Sequence, residues 1–325
     1  MHRTRFCRSL ASTITSILLA TTMHGARADA HDTPMKLVVI VAPGGSGDAV
    51  ARLVAAKLTG QLGRPVIVEN KPGAGGNLAT QTIARSAPDG ASLLVSSNNH
   101  TINPTLYADA GYKIDDLKPV AILMRGPSVI VVPANSPYTS LQALIDAAKA
   151  RPDTIAYGSA GIGTPSHIAG ELFARAAGIR LVHAPYRGSG PSLSDVAGGQ
   201  IPVAVATLVA ARPLIKAGKV RALAVTSKHR WPGAESIPAA SETGMPEYEH
   251  LTWLALFAPK GTSPEVVNRL NKATSEALAD REVKRKITEL GGEVDPIETT
   301  AVKAFIDADY AVSTQLVRSA GLRAN

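Results

Sequence analysis

The sequence predicts an α/β fold divided into two lobes joined by a hinge, with a ligand cleft between them, and three observations predict it. Short apolar runs of strand type alternate with segments whose apolar residues recur at helical spacing, the pattern of βαβ units around parallel sheets. Two glycine-rich turns, Pro43-Gly44-Gly45-Ser46-Gly47-Asp48 and Gly158-Ser159-Ala160-Gly161-Ile162-Gly163-Thr164, each open onto such a helical segment. The chain has 325 residues, more than one core comfortably serves.

Residues 1–28 read as a signal peptide. Arg3, Arg5 and Arg8 form a basic start, Leu10 to Met23 is a short apolar run, and Ala26-Arg27-Ala28 is a small-x-small site with cleavage expected after Ala28. The run is short for a membrane span and no later segment replaces it, so the expectation is an exported, periplasmic protein without membrane insertion. Cys7, the single cysteine, falls in the leader, so the mature chain is expected to lack disulfides and cysteine metal sites. Loss of Arg3, Arg5, Arg8 and Arg27 takes the formal net charge from +8 to +4. With 4% aromatic residues and no arginine-rich run, nucleic acid is a poor partner, whereas a small acid is compatible.

The elements follow in order. Lys36 to Val41 reads as a strand buried on both faces, ended by Pro43-Gly44-Gly45. Ala49-Val50, Leu53-Val54 and Leu58 give a helix, stopped by Gly60 and Gly63-Arg64-Pro65 before a strand at Val66 to Glu69. Asn70 to Gly76 is a turn, Leu78 to Arg85 a short helix, and Ser92 to Ser96 a third strand ending in the turn Ser97-Asn98-Asn99-His100. Val120 to Leu123 and Val129 to Val132 are two runs separated by Arg125-Gly126-Pro127, one of them a crossing between lobes. Thr139 with Gln142 suits a capping box for a helix Leu141 to Ala150. Thr154 to Tyr157 is a strand that feeds the second glycine turn, where Thr164 is placed as N-cap and Pro165 as first residue of a helix reaching Ala177. Strand signals recur at Leu181 to His183, Val203 to Ala206 and Ala222 to Thr226, and Thr252 to Pro259 is the return crossing. From Ser263-Pro264 to Arg318 the chain is mostly helical, interrupted between Gly291 and Ile297. The expected division is 29–127 plus 251–325 for one lobe and 128–250 for the other.

For chemistry, neither Ser46 nor Ser159 sits in a nucleophile elbow, and the glycine turns lack the Lys-Ser/Thr ending of a P-loop. His31, His100, His167, His183, His229 and His250 are scattered without metal spacing, and no carboxylate pair stands out for acid–base work. No cofactor or metal is expected. Gly44, Gly45, Ser46 and Asp48 read either as an anion pocket at a helix start or as a tight βα turn. Ser159, Gly161, Gly163 and Thr164 put hydroxyls and free amides at one helix N-terminus and favour ligand contact over mere capping. His167, in the first turn of that helix, is either a neutral donor to a ligand or a satisfied structural histidine. Asn98 and Asn99 stand at the carboxyl end of a buried strand, where α/β sheets present ligand groups, though asparagine is also ordinary turn material. Arg187 is a candidate partner for a second carboxylate, with a solvated arginine as the alternative.

At these motifs the chain resembles the Bug/TctC-type solute-binding receptors of tripartite tricarboxylate transport systems, over essentially the whole mature sequence. The resemblance rests on Pro43-Gly44-Gly45 with Asp48 and Ala51-Arg52, Val68 to Gly76, Pro88-Asp89-Gly90, Gly158-Ser159-Ala160-Gly161 with Gly163-Thr164 and His167, Gly198-Gly199-Gln200, and Ala258 to Thr262. It implies a type II periplasmic-binding-protein fold that closes over a small carboxylate held by amides, hydroxyls and water, and it implies delivery to membrane permease subunits. By that match Gly44, Gly45, Asp48, Ser159, Gly163, Thr164 and His167 carry over as ligand residues, with Thr207 a weaker candidate. A monomer without catalytic activity is expected; the alternatives are an exported enzyme acting on an organic acid, or a sensor that signals to a membrane partner. The chain departs from similar receptors in Val41-Ala42, where an aromatic often stands, in Ile201-Pro202, where an acid often stands, and near Ser313-Thr314, where a tryptophan is usual.

Overall fold

The computed structural model describes residues 34–294, 296–319 and 321–324. The leader, with Cys7 and the expected cleavage after Ala28, lies outside the described residues, as does His31.

β1 (Met35–Val39) is the middle strand of a parallel trio, with Leu37 opposite Val68 of β2 (Val66–Asn70) and Leu93 of β3 (Ser92–Ser97). Apart from Lys36 its residues are buried, which is why it reads as a continuous apolar run; β2 lies at the edge and alternates. α1 (Ser46–Leu62) follows β1 and buries Val50, Val54 and Leu58. It stops at Gly63, whose φ of 64° is the left-handed conformation that glycine adopts without a Cβ penalty. α2 (Asn77–Ala84) leads back to β3.

β9 (Leu251–Pro259) lies antiparallel between β3 and β4 (Leu117–Pro133), completing a first sheet in the order β2-β1-β3-β9-β4. The second half of β4, from Ser128, leaves β9 and pairs with β7 (Val203–Thr207) and β8 (Val220–Val225). β7 continues in parallel to β5 (Ala156–Ser159) and β6 (Val182–Pro185). One strand therefore belongs to both sheets.

The remaining helices are α3 (Asn99–Leu106), α8 (Pro264–Ala279), α9 (Arg281–Leu290) and α10 (Thr299–Ser319) beside the first sheet. α4 (Leu141–Ala150), α5 (Pro165–Ala177), α6 (Ser189–Ala197) and α7 (Leu208–Lys216) accompany the second. Each sheet is covered on both faces. Leu37, Val54, Leu93 and Leu270 fill one side of the first, and Val38, Leu94, Phe257 and Ile306 the other. Ile130, Tyr157, Phe173 and Val205 fill one side of the second, and Val129, Leu193, Ala206 and Trp231 the other. Each of the valine, leucine, isoleucine and phenylalanine side chains among them contributes roughly 1.5–3 kcal/mol on burial, the dominant favourable term.

Three sequence expectations are corrected. The two runs at Val120 and Val129 are one strand, because Arg125 and Gly126 stay in register with Trp253 and Thr252 of β9. Glycine suits position 126, where a Cβ would stand a tight 3.1 Å from the Gly291 carbonyl oxygen. Pro127, without an N–H, falls where the ladder changes from β9 to β7. The segment after β3 is a helix, α3, rather than a turn. The cap of α4 is Ser140, whose Oγ accepts from Ala143 N at 3.1 Å, while Gln142 donates to Asp146.

Between the sheets, Thr226 laces the two crossing strands together: its Oγ1 accepts from Ser128 N (2.9 Å) and donates to His250 O (2.6 Å). A separate apolar cluster joins Ile168 of α5 to Ile102 and Leu106 of α3 and Val317 of α10.

Candidate functional site

Five helices begin at one cavity. Ser46 and Gly47 open α1, Asn99 opens α3, Thr164, Pro165 and Ser166 cap and open α5, Ser189 opens α6, and Thr207 caps α7; all of them line a space of about 100 Å³. The first sheet supplies an apolar wall, Val39, Ile40 and Val41 at the end of β1, Met124 of β4, and Trp253 and Leu254 of β9, with Ser97 and Thr252 beside them. Among the described residues, no lysine, arginine, histidine or carboxylate lines the cavity. The field in the cavity is thus set by helix N-termini, each equivalent to roughly half a positive charge, and by neutral hydroxyls.

The first glycine turn places Ser46 in the lining and leaves Gly44, Gly45 and Asp48 behind it. Asp48 is a brace: its carboxylate accepts from Gly44 N (3.0 Å) and Asn70 Nδ2 (3.0 Å) and pairs with Arg52 at 2.9 Å. Burial alone would raise its carboxyl, but the Arg52, Gly44 and Asn70 hydrogen bonds outweigh burial and hold it below the usual range. Gly45 is the N-cap of α1 and has no side chain to cap the first-turn amides, and Ser46 and Gly47 of that turn line the cavity.

The second turn is bound differently from expectation. Its amides find acceptors within the chain: Ala160 N donates to Ser166 Oγ (3.0 Å), Gly161 N to Ser159 Oγ (3.1 Å), Gly163 N to His167 Nδ1 (3.2 Å) and Thr164 N to Gly161 O (3.2 Å). Of the expected residues here Thr164 reaches the cavity; Ser159, Gly161, Gly163 and His167 support the turn from behind. The physical reason is that positive φ at Gly161 (126°) and Gly163 (76°) turns those N–H groups inward.

Asn98 also works behind the wall. Its Oδ1 accepts from Trp253 N at 3.1 Å, and its Nδ2 faces Leu251 O and Asp309, both at 3.4 Å. Its neighbour Asn99 lines the cavity instead, and donates to Gly75 O at 2.9 Å. Thr207 lines the cavity while its Oγ1 accepts from Ala210 N at 3.3 Å. Arg187 is exposed and outside the lining. Sequence reasoning missed Ser97, Ser166, Ser189, Thr252 and the Met124, Trp253 and Leu254 wall. Ser189 follows Gly188, whose φ of 119° marks a helix start much as the earlier turns do; the apolar wall left no such trace.

Among the described residues no group of three or more His, Cys, Asp or Glu side chains is placed to hold a metal, and no helix is long and apolar enough to cross a membrane.

Residues 50–322 match the tripartite tricarboxylate transporter family receptor. The chain belongs to this family. It is a solute-binding receptor with the periplasmic-binding-protein fold, and several relatives match it along most of their lengths. A UPF0065 protein from the tcbD-tcbE intergenic region of Pseudomonas sp. strain P51 is 36% identical over 302 residues, 90% of each chain. Rpa4515 of R. palustris, solved with adipate, superposes with a TM-score of 0.85 at 32% identity, covering 90% of this chain and 98% of that one. The periplasmic binding protein BugD gives 0.83 at 33% identity, covering 89% and 98%.

Proposed function

We propose that this receptor captures a small carboxylate in the cavity between its two sheets and delivers it to membrane permease subunits. The observation that carries the reading is the convergence of five helix N-termini on a space that, among the described residues, no charged side chain lines. Such a site stabilises an anion through fixed dipoles and hydroxyls, and the absence of a lysine or arginine counter-ion lets it release the anion again. Rpa4515, similar over its whole length, was solved with adipate, which supports a carboxylate of that general size.

In this reading the lobes are 29–127 plus 251–325 and 128–250, hinged where β4 and β9 cross and where Thr226 laces them. The leader directs export to the periplasm, and the receptor acts as a monomer without catalysis. Calorimetry of the mature protein against mono-, di- and tricarboxylates tests the assignment. Saturable heat and a raised melting temperature are expected with at least one acid, about 2.7 kcal/mol of added stability at a hundredfold excess over Kd. Indifference to every acid, with the protein folded, sinks it.

A further inference from the structure

Behind the second glycine turn lies a side-chain cluster that forms no part of the cavity lining. The rings of His167 and His183 stack at 4.1 Å with 19° between their planes, and Tyr157 stacks on His183 at 5.0 Å. His167 Nδ1 accepts from Gly163 N at 3.2 Å. His183 Nε2 meets Ser159 Oγ at 2.7 Å, and that oxygen accepts from Gly161 N at 3.1 Å. Each positive-φ glycine of the turn is therefore tied to one imidazole, Gly163 directly and Gly161 through Ser159. The connection continues to the cavity: Gly161 O accepts from Thr164 Oγ1 at 2.7 Å, and Thr164 Oγ1 stands 3.1 Å from Ser166 Oγ. Both hydroxyls line the cavity.

The geometry points to His167 and His183 as positioning residues for ligand capture, a stacked pair of imidazoles that fixes the second glycine turn and, through it, the Thr164 and Ser166 hydroxyls. The affinity arm of this inference rests on the carboxylate reading of the cavity; the clamp itself is a property of the turn. A backbone N–H only donates, so Nδ1 of His167 is the bare nitrogen and Nε2 carries the proton. That Nε2 faces Glu171 Oε1 at 3.9 Å, and the same carboxylate oxygen accepts from Tyr157 OH at 2.6 Å. Tyr157 from β5, Glu171 from α5 and the two imidazoles are the titratable groups that face one another here. Burial holds both histidines down to about 4, which keeps the pair neutral at ordinary pH. A proton on His167 Nδ1 would remove the acceptor for Gly163 and set a charge against the His183 ring.

The experiment begins on the unmodified mature protein with nitrogen-15 spectra of the histidine rings. An Nε2–H tautomer at His167 is expected. Exchange of the Gly163 amide is then compared in His167→Asn, whose amide oxygen can replace Nδ1 as acceptor and never titrates, and in His167→Ala. Exchange about tenfold faster in the Ala variant, and near wild type in Asn, is expected from loss and retention of one hydrogen bond. With adipate as probe, the Ala variant should bind about tenfold more weakly and the Asn variant within about twofold. The ratio of wild-type to Asn affinity should fall about twofold between pH 7 and pH 4, the protonation of adipate itself cancelling in the ratio. A proton found on Nδ1, or equal Gly163 exchange in both variants, overturns the clamp whether or not any acid binds; if the Ala variant fails to fold, the tautomer decides. An intact clamp with no binding of adipate or any other acid overturns the carboxylate reading and the affinity arm with it.

Discussion

Gly163 and Asn103 meet across the two sheets, so closely that a Cβ on the glycine would stand 2.9 Å from Asn103 Oδ1 and 2.5 Å from Leu106 Cδ2. The contact joins the second glycine turn to α3, where Asn103 Nδ2 also donates to Gly75 O at 2.9 Å. Gly163 thus has two reasons to be glycine, its φ of 76° and the room α3 leaves it. Gly163→Ala should therefore cost about 1–3 kcal/mol of stability, measured by denaturant unfolding. Ligand affinity should fall in the same variant, because the turn and α3 can no longer approach. Unchanged stability would show that the turn yields without strain.

Acid should weaken the fold before it touches the carboxylates. Burial pushes His100 down to about 3 and His250 to about 4, both from an ordinary 6.5. Their folded values lie below the unfolded one, so the stability they contribute is complete above about pH 6.5 and is lost as pH falls toward 3–4. For His100, whose ring packs on Phe257 at 4.4 Å, the loss amounts to about 2 kcal/mol at pH 5. Unfolding curves between pH 7.5 and 4.5 should show the slope, and His100→Leu should flatten it by up to about one proton. Equal slopes in the two proteins would contradict the assignment.

Thr207 combines a cap with a wall position, and its variants separate the two. Thr207→Ala removes the Oγ1 that accepts from Ala210 N and should cost about 1 kcal/mol of stability along with about tenfold in carboxylate affinity. Thr207→Ser keeps the oxygen and should recover both. Calorimetry and thermal unfolding of the pair distinguish a hydroxyl that touches ligand from one that only caps α7.

Asp48 should prove a brace rather than a contact. Asp48→Ala releases Gly44 N, Asn70 Nδ2 and Arg52 together, at a cost of about 1–3 kcal/mol measured by denaturant unfolding. Its folded carboxyl lies below the usual value, so its contribution is present above about pH 4 and disappears as pH falls through the lowered value. A variant with wild-type stability but abolished binding would instead put the carboxylate in the cavity.

Trp253 lines the cavity, whereas Trp231 lies in the second sheet's core. Carboxylate binding should alter tryptophan emission in the wild type and leave it unaltered in Trp253→Phe, as fluorescence titration would show.

What was legible in the chain was what local rules govern. β1 and α1 announce themselves by an apolar run followed by helical spacing, and Thr164-Pro165 and Ser263-Pro264 name their helix starts because a cap and a first-turn proline act within a few residues. α3 was hidden because Asn99-His100-Thr101-Ile102-Asn103-Pro104 is a poor helix former. It is held by tertiary partners instead, Asn99 and Asn103 on Gly75 O and Thr101 on Asp309. β4 was hidden because Gly126-Pro127 reads as a turn, and its continuity depends on β9, more than a hundred residues later. Around the cavity, Ser46 and Thr164 were legible as residues at helix starts, whereas Thr207 came only from the family resemblance, as a strand-end residue, and proves to cap α7. The acceptors that take up the Gly161 and Gly163 amides, Ser159 Oγ and His167 Nδ1, were not legible, since the turn geometry that brings them together is set by the fold.

The passage of one unbroken ribbon, Leu117–Pro133, through both sheets limits how the molecule can open. Any parting of the two halves must flex that ribbon and its neighbour Leu251–Pro259, not swing on slack connectors. The elastic cost grows with the angle, so the gap to solvent widens against a restoring force, and wild excursions are suppressed. In the hinged reading proposed above, closure over a ligand would bend this ribbon like a leaf spring, most stiffly where Thr226 Oγ1 bonds Ser128 and His250.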